Sequence, residues 1–263
     1  EADVEQMRTD DMDFEGERLC RPSASRDVLF DRDTLDNAPT KEPLRTLAGF
    51  KIFKEFNASH RYGSGHDVAG GVGLDSSTTV IIDFETTPAQ VVATFRNNIV
   101  KPDVFGDEVK RQTDIFGGCI VGIEKNNHGH ATIARARQLG VKLYKTHGKE
   151  TRIDQAEATE YGWQTNALTK PKMLFALAKA IEDNLLSLND PELIQECKSY
   201  SRNDLIDDEE DPRLTTRHFD LLIAAAVAWQ MKDFSQAKTA VRDVDKEMQK
   251  IINANRSKSK TTR

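Results

Sequence analysis

Residues 65–84 read GHDVAGGVGLDSSTTVIIDF, and this stretch is the strongest indication of the fold class. Its second half, 79–84, is rich in β-branched residues and predicts a buried strand. The glycines before it could cradle a phosphate, but no helix follows them, so they predict a tight hairpin between two strands. Asp67 then lies at or near the end of the first strand, where a role in capping the turn is the simplest alternative to a site residue.

Two more segments, 90–95 and 119–123, are rich in apolar and β-branched residues and also predict strands. The nearly continuous apolar run at 119–123 is typical of a central strand covered on both faces. Helical patterns occupy residues 104–116, 131–139, 172–188 and 216–232. A cluster of strands followed by strands alternating with helices indicates an α/β domain with a mixed sheet.

Charge is distributed unevenly along the 263 residues, whose net charge is −6. Residues 1–48 carry 13 acidic and seven basic side chains, whereas the remainder carries 30 of each. We therefore predict an acidic N-terminal arm or linker at 1–48, a folded domain at 49–234, and a C-terminal helix with a basic tail at 235–263.

Two further features of the composition narrow the class of protein. The longest apolar run, 221–229, has nine residues, fewer than the roughly 20 needed to cross a bilayer, so we expect no membrane span. Three widely spaced cysteines form no metal-binding or disulfide pattern and favour a reducing cytoplasm.

Two further acids stand at the ends of apolar segments, as Asp67 does. Glu124 follows the strand at 119–123, and the ends of such strands are where sites of open α/β sheets lie. Asp220 begins an apolar helix, and Ala224 and Ala228 on the same face would let that helix lie close to the sheet. An acid in the first turn also interacts well with the helix dipole, which is the alternative for Asp220. Converging carboxylates would suit Mg²⁺ or Mn²⁺, two of which about 4 Å apart can hydrolyse a phosphodiester.

Residues 125–152 carry seven basic side chains against a single acid. An ordinary solvated helix face is one interpretation, and a surface that follows a phosphate backbone is the other. Such a surface would read phosphates more than bases, so it predicts low intrinsic sequence specificity. The candidate DNA-binding residues are Lys125, Lys142, Lys145, Lys149 and Arg152.

In their order and context, four segments resemble the C-terminal nuclease domain of the large terminase subunits of tailed bacteriophages. Those subunits are DNA-packaging motor proteins. The segments are 66–84, 121–129 (VGIEKNNHG), 161–174 (YGWQTNALTKPKML) and 217–229 (RHFDLLIAAAVAW). No one segment would suffice, but together they span about residues 50–232. The resemblance implies an RNase H-like α/β fold, with a mixed central sheet flanked by helices.

The resemblance also implies roles for individual residues. Asp67, Glu124 and Asp220 would hold the metal ions. Asp75 would be an accessory acid of the catalytic site, and His218 matches the histidine that often precedes the third acid. Many relatives have two adjacent acids where this chain has a phenylalanine before Asp220. The third ligand then rests on one carboxylate, which would weaken the binding of any second cation.

The function implied is that of an Mg²⁺- or Mn²⁺-dependent endonuclease that cuts double-stranded DNA during viral genome packaging. Its partners would be the portal protein, the small terminase subunit and the ATPase domain of the same full-length chain, in the cytoplasm of the infected bacterial host. A Walker A loop is absent from these 263 residues, because the only Gly-Lys pair, Gly148-Lys149, lacks the upstream glycine. The ATPase domain is therefore expected in a longer protein.

Two other functions remain open at the level of sequence. An RNase H-like core could belong to a junction resolvase or recombination nuclease, although the continuation through Gly162-Trp163 resembles terminases instead. A domain that docks a motor onto its portal, or grips DNA without cutting it, is the alternative from a different class. Metal-dependent nicking of plasmid DNA separates the enzymes from the binding module.

Overall fold

The computed structural model describes residues 28–73, 75–125, 128–146, 160–205 and 218–237. Within these ranges, no helix is long and apolar enough to cross a membrane. Residues 1–27 of the predicted arm, the candidate residues Lys149 and Arg152, and nearly all of the predicted C-terminal helix lie outside them.

A mixed sheet forms the centre of the described chain. Its strands are β1 (Arg45–Leu47), β2 (Phe50–Ile52), β3 (Tyr62–Asp67), β4 (Ser77–Asp83), β5 (Ala89–Asn97), β6 (Ile120–Ile123) and β9 (Leu186–Ser187). They lie in the order β1-β2-β5-β4-β3-β6, with β9 beside β5. The pairs β3–β6 and β5–β9 are parallel, and the others are antiparallel. A separate antiparallel pair consists of β7 (Lys145–Thr146) and β8 (Glu160–Tyr161).

Helices cover both faces of this sheet. They are α1 (Arg32–Asp36), α2 (Pro102–Ile115), α3 (Gly129–Gln138), α4 (Thr169–Glu182), α5 (Pro191–Ser199) and α6 (Asp220–Gln230). Two short 3-10 helices, Arg202–Leu205 and Met231–Phe234, complete the regular elements of the described residues. The predicted fold class, a mixed α/β sheet flanked by helices, is confirmed.

The core lies in two layers because successive residues of a strand face opposite sides of the sheet. Val80 and Ile82 join the layer that contains α4, α5 and α6, whereas Ile81 joins the layer that contains α2 and α3. Leu29 and Phe30, which precede the predicted domain boundary at residue 48, are buried in the first layer. The boundary itself stays a prediction.

The antiparallel pairing of β3 and β4 confirms the hairpin predicted from the glycine-rich stretch, but the prediction of a tight turn is wrong, because the nine residues 68–76 connect the strands. The helix predicted at 172–188 is wrong over its last third, because α4 ends at Glu182. Asn184 has a φ of 53°, a left-handed conformation typical of a residue that follows a helix. The chain reverses there, and Leu186–Ser187 then pairs with β5.

Two glycines in the strands beneath α6, Gly65 and Gly122, let this helix lie unusually close to the sheet. We call this pair the glycine floor. A Cβ atom on Gly65 of β3 would collide with the backbone of Ala224 and Ala228 in α6. At Gly122 of β6, a Cβ atom would lie 2.8 Å from Val227 Cγ1. Glycine within a strand often marks such a close approach of another backbone. The predicted close packing of this helix is confirmed, and it brings Asp220 to the carboxyl ends of β3 and β6.

Candidate metal centre

Asp67 and Glu124 meet at the ends of two neighbouring parallel strands. His66 of β3 lies opposite Ile123 of β6, and the Glu124 amide donates to the His66 carbonyl at 2.9 Å. The next residues, Asp67 and Glu124, are therefore side by side, and their side chains are hydrogen-bonded to each other. A hydrogen bond between two carboxyl groups requires a proton, and a cation can take its place.

Burial raises the pKa of Asp67 well above its usual range, and the neighbouring charge of Glu124 raises it further. The charge of Asp220 acts in the same direction, which links this third acid electrostatically to the pair. Carboxylates that are desolvated and close together are stable in their charged form only with a compensating cation. The donor set thus fits a hard divalent cation.

Asp220 is the first residue of α6. Both its main chain and its side chain accept hydrogen bonds from residues around the start of β4. Its Oδ2 accepts a hydrogen bond from the Ser76 amide at 3.0 Å, and its carbonyl accepts one from Thr78 Oγ1 at 2.8 Å. The side chain is nearly buried, and burial raises its pKa, against the lowering effect of Ser76 and Arg96. The start of α6 is therefore fixed to the start of β4.

Asp75 and His218 form a second group around Asp220. His218 Nδ1 lies 2.6 Å from Asp75 Oδ1. One potential ligand atom from each of Asp75, His218 and Asp220 lies within 4.8 Å of the other two. A set of two carboxylates and one imidazole suits Mn²⁺, Co²⁺ or Zn²⁺ as well as Mg²⁺.

The structure places the five candidate catalytic residues in two groups. Asp67 is paired with Glu124, and Asp220 lies with Asp75 and His218. The electrostatic interaction between Asp67 and Asp220 connects the groups.

Two charged residues beside Asp220, Arg96 at the end of β5 and Glu196 in α5, were not among the predicted site residues. Arg96 Nη1 lies 2.8 Å from Glu196 Oε1, and its Nη2 lies 3.6 Å from Asp220 Oδ2. Glu196 is buried, and burial raises its pKa to about 7. The sequence signal for Arg96 is a basic residue near the end of an otherwise apolar strand. No sequence signal indicates Glu196.

Lys125 is the candidate DNA-binding residue nearest in sequence to the carboxylates. It follows Glu124 directly, is half-buried, and its amide donates to the Trp163 carbonyl at 2.9 Å. Lys145 lies in β7, is exposed, and has its ammonium 5.5 Å from the centre of the Tyr161 ring.

Lys142 is exposed but lies at the other end of β6 from Glu124. Its carbonyl accepts from the amide of Val121 at 2.9 Å, near the start of the strand. The three residues from Val121 to Glu124 span about 10 Å. Of the described candidate lysines, Lys125 therefore adjoins Glu124, whereas Lys142 lies about 10 Å away along β6.

Comparisons with known proteins give matches in structure. No protein-family profile matches the sequence, and no curated protein gives a significant sequence match. The nuclease domain of the large terminase from thermophilic phage G20c, solved with bound magnesium, matches with a TM-score of 0.59 at 14% identity, over 78% of this chain and 98% of that one. The nuclease domain of the Thermus phage P74-26 large terminase matches with a TM-score of 0.55 at 15% identity, over 78% and 95%.

The human cytomegalovirus terminase nuclease domain also matches, with a TM-score of 0.50 at 11% identity over 77% of this chain and 94% of that one. The G20c domain has further been solved with bound zinc and with bound cobalt. The described chain thus has the RNase H-like fold of large terminase nuclease domains. At the level of the fold, the resemblance found in the sequence is confirmed.

Proposed function

We propose that this chain is the nuclease domain of a viral large terminase and hydrolyses double-stranded DNA with the help of divalent cations. The observation that carries the proposal is the placement of Asp67 and Glu124 side by side at the ends of β3 and β6, where burial and the charge of Glu124 raise the pKa of Asp67. The fold is shared with terminase nuclease domains, but fold alone does not define an activity.

The two groups of side chains would hold two cations, Mg²⁺ or Mn²⁺. Asp67 and Glu124 would hold one, and Asp75, His218 and Asp220 the other, and the charge of Asp220 acts on Asp67. Bound there, such ions would supply an activated water and would stabilise charge on the leaving oxygen.

Other groups of the chain would hold the proposed metal ligands in position. The Ser76 amide and the Thr78 hydroxyl hold Asp220 in place from the hairpin side. Asp75 orients the His218 ring through Nδ1, as carboxylates commonly do for metal-binding imidazoles. The carboxylates are thereby fixed before a cation arrives, which avoids reorganisation during the reaction.

DNA would be held mainly through its phosphates, which gives low sequence specificity. The proposed contacts are the basic residues predicted from the sequence: Lys125, Lys142, Lys145, Lys149 and Arg152. The proposed setting is genome packaging in the cytoplasm of an infected bacterial host. The portal protein, the small terminase subunit and an ATPase domain of the full-length chain would be the partners.

A nicking assay on supercoiled plasmid, with Mg²⁺, Mn²⁺ or EDTA, tests the proposal. We expect cleavage with either cation, none with EDTA, and none by Asp67→Asn or Asp220→Asn. Asp107→Asn is a matched control, because Asp107 forms an exposed ion pair with Arg135 between α2 and α3. Preference for a four-way junction over plasmid would favour a resolvase, and DNA binding without cleavage would favour the docking module.

A further inference from the structure

Arg96 lies at the junction of three groups next to the candidate metal centre. Its Nη1 lies 2.8 Å from Glu196 Oε1, and its Nε donates to Ser76 Oγ at 3.3 Å. Its Nη2 lies 3.6 Å from Asp220 Oδ2, the oxygen that also accepts from the Ser76 amide. The planar guanidinium therefore reaches Asp220 both directly and through Ser76.

Glu196 connects the same network to the backbone of α6. Its Oε2 accepts a hydrogen bond at 2.9 Å from the amide of Leu222, in the first turn of the helix that Asp220 begins. First-turn amides have no partner within their own helix, so a carboxylate from another helix stabilises this end. Glu196 thus fixes the helix start, and Arg96 balances the charge of Glu196.

We propose that Arg96 is a positioning residue for Asp220 and thereby sets the cation affinity of the group formed by Asp75, His218 and Asp220. This inference rests on the proposed function. The contacts of Ser76 and Arg96 both fall on Oδ2 of Asp220, so Oδ1 would be the oxygen offered to a cation. Without Arg96, Oδ2 keeps one partner, and the carboxylate can rotate away from the other two ligands.

The shape of the arginine side chain contributes more to this positioning than its charge does. A lysine can place one ammonium near Glu196 or near Asp220, but it cannot present several donors in a fixed plane to Glu196, Ser76 and Asp220 together. The opposing effect is repulsion between the Arg96 charge and a bound cation. Glu196 lies 2.8 Å from Arg96, and its charged form offsets that repulsion.

The test is Mn²⁺ binding to the DNA-free protein, followed by titration calorimetry, for Arg96→Lys and for the double variant Arg96→Gln with Glu196→Gln. The double variant removes both charges, and the amide oxygen introduced by Glu196→Gln can still accept from Leu222, so we expect it to fold. Both variants should bind one Mn²⁺ as the wild type does and the second about 10- to 100-fold more weakly, the usual range for groups that orient metal ligands. Arg61→Gln, which breaks an exposed ion pair with Glu85, is the matched control and should change neither.

Cleavage gives a second readout. For both variants, the Mn²⁺ concentration for half-maximal cleavage should rise, whereas the rate at saturating Mn²⁺ should return towards that of the wild type. Unchanged or tighter binding of the second Mn²⁺ in the double variant, or wild-type binding by Arg96→Lys, would overturn the inference and leave the proposed function standing. A wild-type protein that binds no Mn²⁺ would overturn both.

Discussion

The side chain of Asp67 is hydrogen-bonded to that of Glu124 across two parallel strands. Two acids in such contact share a proton or a cation, and without either they repel each other. Because burial also raises the pKa of Asp67, its charged form is expected to oppose folding when no cation compensates it. The stability of the domain and the occupancy of its site are therefore coupled.

Asp67→Asn should raise the melting temperature of the metal-free protein and abolish cleavage. The folded-state pKa of Asp67 is raised, so its charged form destabilises the fold at pH values above the unfolded-state pKa, and an amide removes this effect. Each kcal/mol gained corresponds to about 2–4 °C for a domain of this size. Thermal melts in EDTA at about pH 7.5 measure it, with Asp107→Asn as the control, and a lower melting temperature for Asp67→Asn contradicts the prediction.

Mn²⁺ should stabilise the wild-type protein and should stabilise Asp67→Asn much less. A ligand at 100 times its dissociation constant adds about 2.7 kcal/mol to the stability of the state that binds it. Melting curves over a range of Mn²⁺ concentrations make the comparison. Equal shifts in the two proteins would show that Asp67 is not a ligand.

Asp75→Ala and His218→Ala should each reduce cleavage about 10- to 100-fold without abolishing it. Asp75 is exposed and acts next to His218, whereas Asp220 is nearly buried and connects both groups. Cleavage rates over a Mn²⁺ titration check this expectation. Complete inactivity of Asp75→Ala at saturating Mn²⁺ would make Asp75 an essential ligand.

Charge reversal at Lys142, Lys145 and Lys149 should weaken DNA binding in a salt-dependent way. For every phosphate that is no longer bound, the slope of log affinity against log salt should fall by about 0.9, with little dependence on sequence. Binding isotherms at several salt concentrations measure the slope, and Mn²⁺ binding should be unchanged. An unchanged slope would move the DNA path elsewhere, and we would next test Lys170 and Lys172.

Gly65→Ala should destabilise the domain by more than about 3 kcal/mol or prevent its folding. The new methyl group would meet the backbone of α6, which cannot move aside as a flexible side chain can. Gly118→Ala is a useful comparison, because a methyl group at that position would lie in open space. Only the positive φ of 70° would strain the new residue, which should lower the free energy of unfolding by about 1–2 kcal/mol. Urea unfolding would refute the prediction if the two variants were equally destabilised.

The sequence was most informative where an acid adjoins an apolar segment. Asp67 and Glu124 each end a strand, and Asp220 begins a helix, so the local pattern located all three. The small residues Ala224 and Ala228 even indicated the close packing of α6, because helix periodicity puts them on the face of Asp220.

Arg96 and Glu196 could not be predicted in this way. They are 100 residues apart, and their contact depends on how α5 packs beside β5, which no local pattern encodes. The end of α4 was missed for a related reason. Its apolar periodicity continues past Glu182, and the turn depends on the left-handed backbone of Asn184.

The glycine floor under α6 has a consequence for the timing of cleavage. Leu221, Leu222 and the residues from Ala224 to Ala228 are all buried, so the helix is enclosed and can neither slide nor rotate without breaking the core. Asp220 is the first residue of that helix, so moving it would require the packed helix to move. Under the proposed function, a packaging motor that must spare its DNA until the end cannot retract this acid. Cleavage would then be controlled by keeping the DNA strand or the cations away from carboxylates that stay in place.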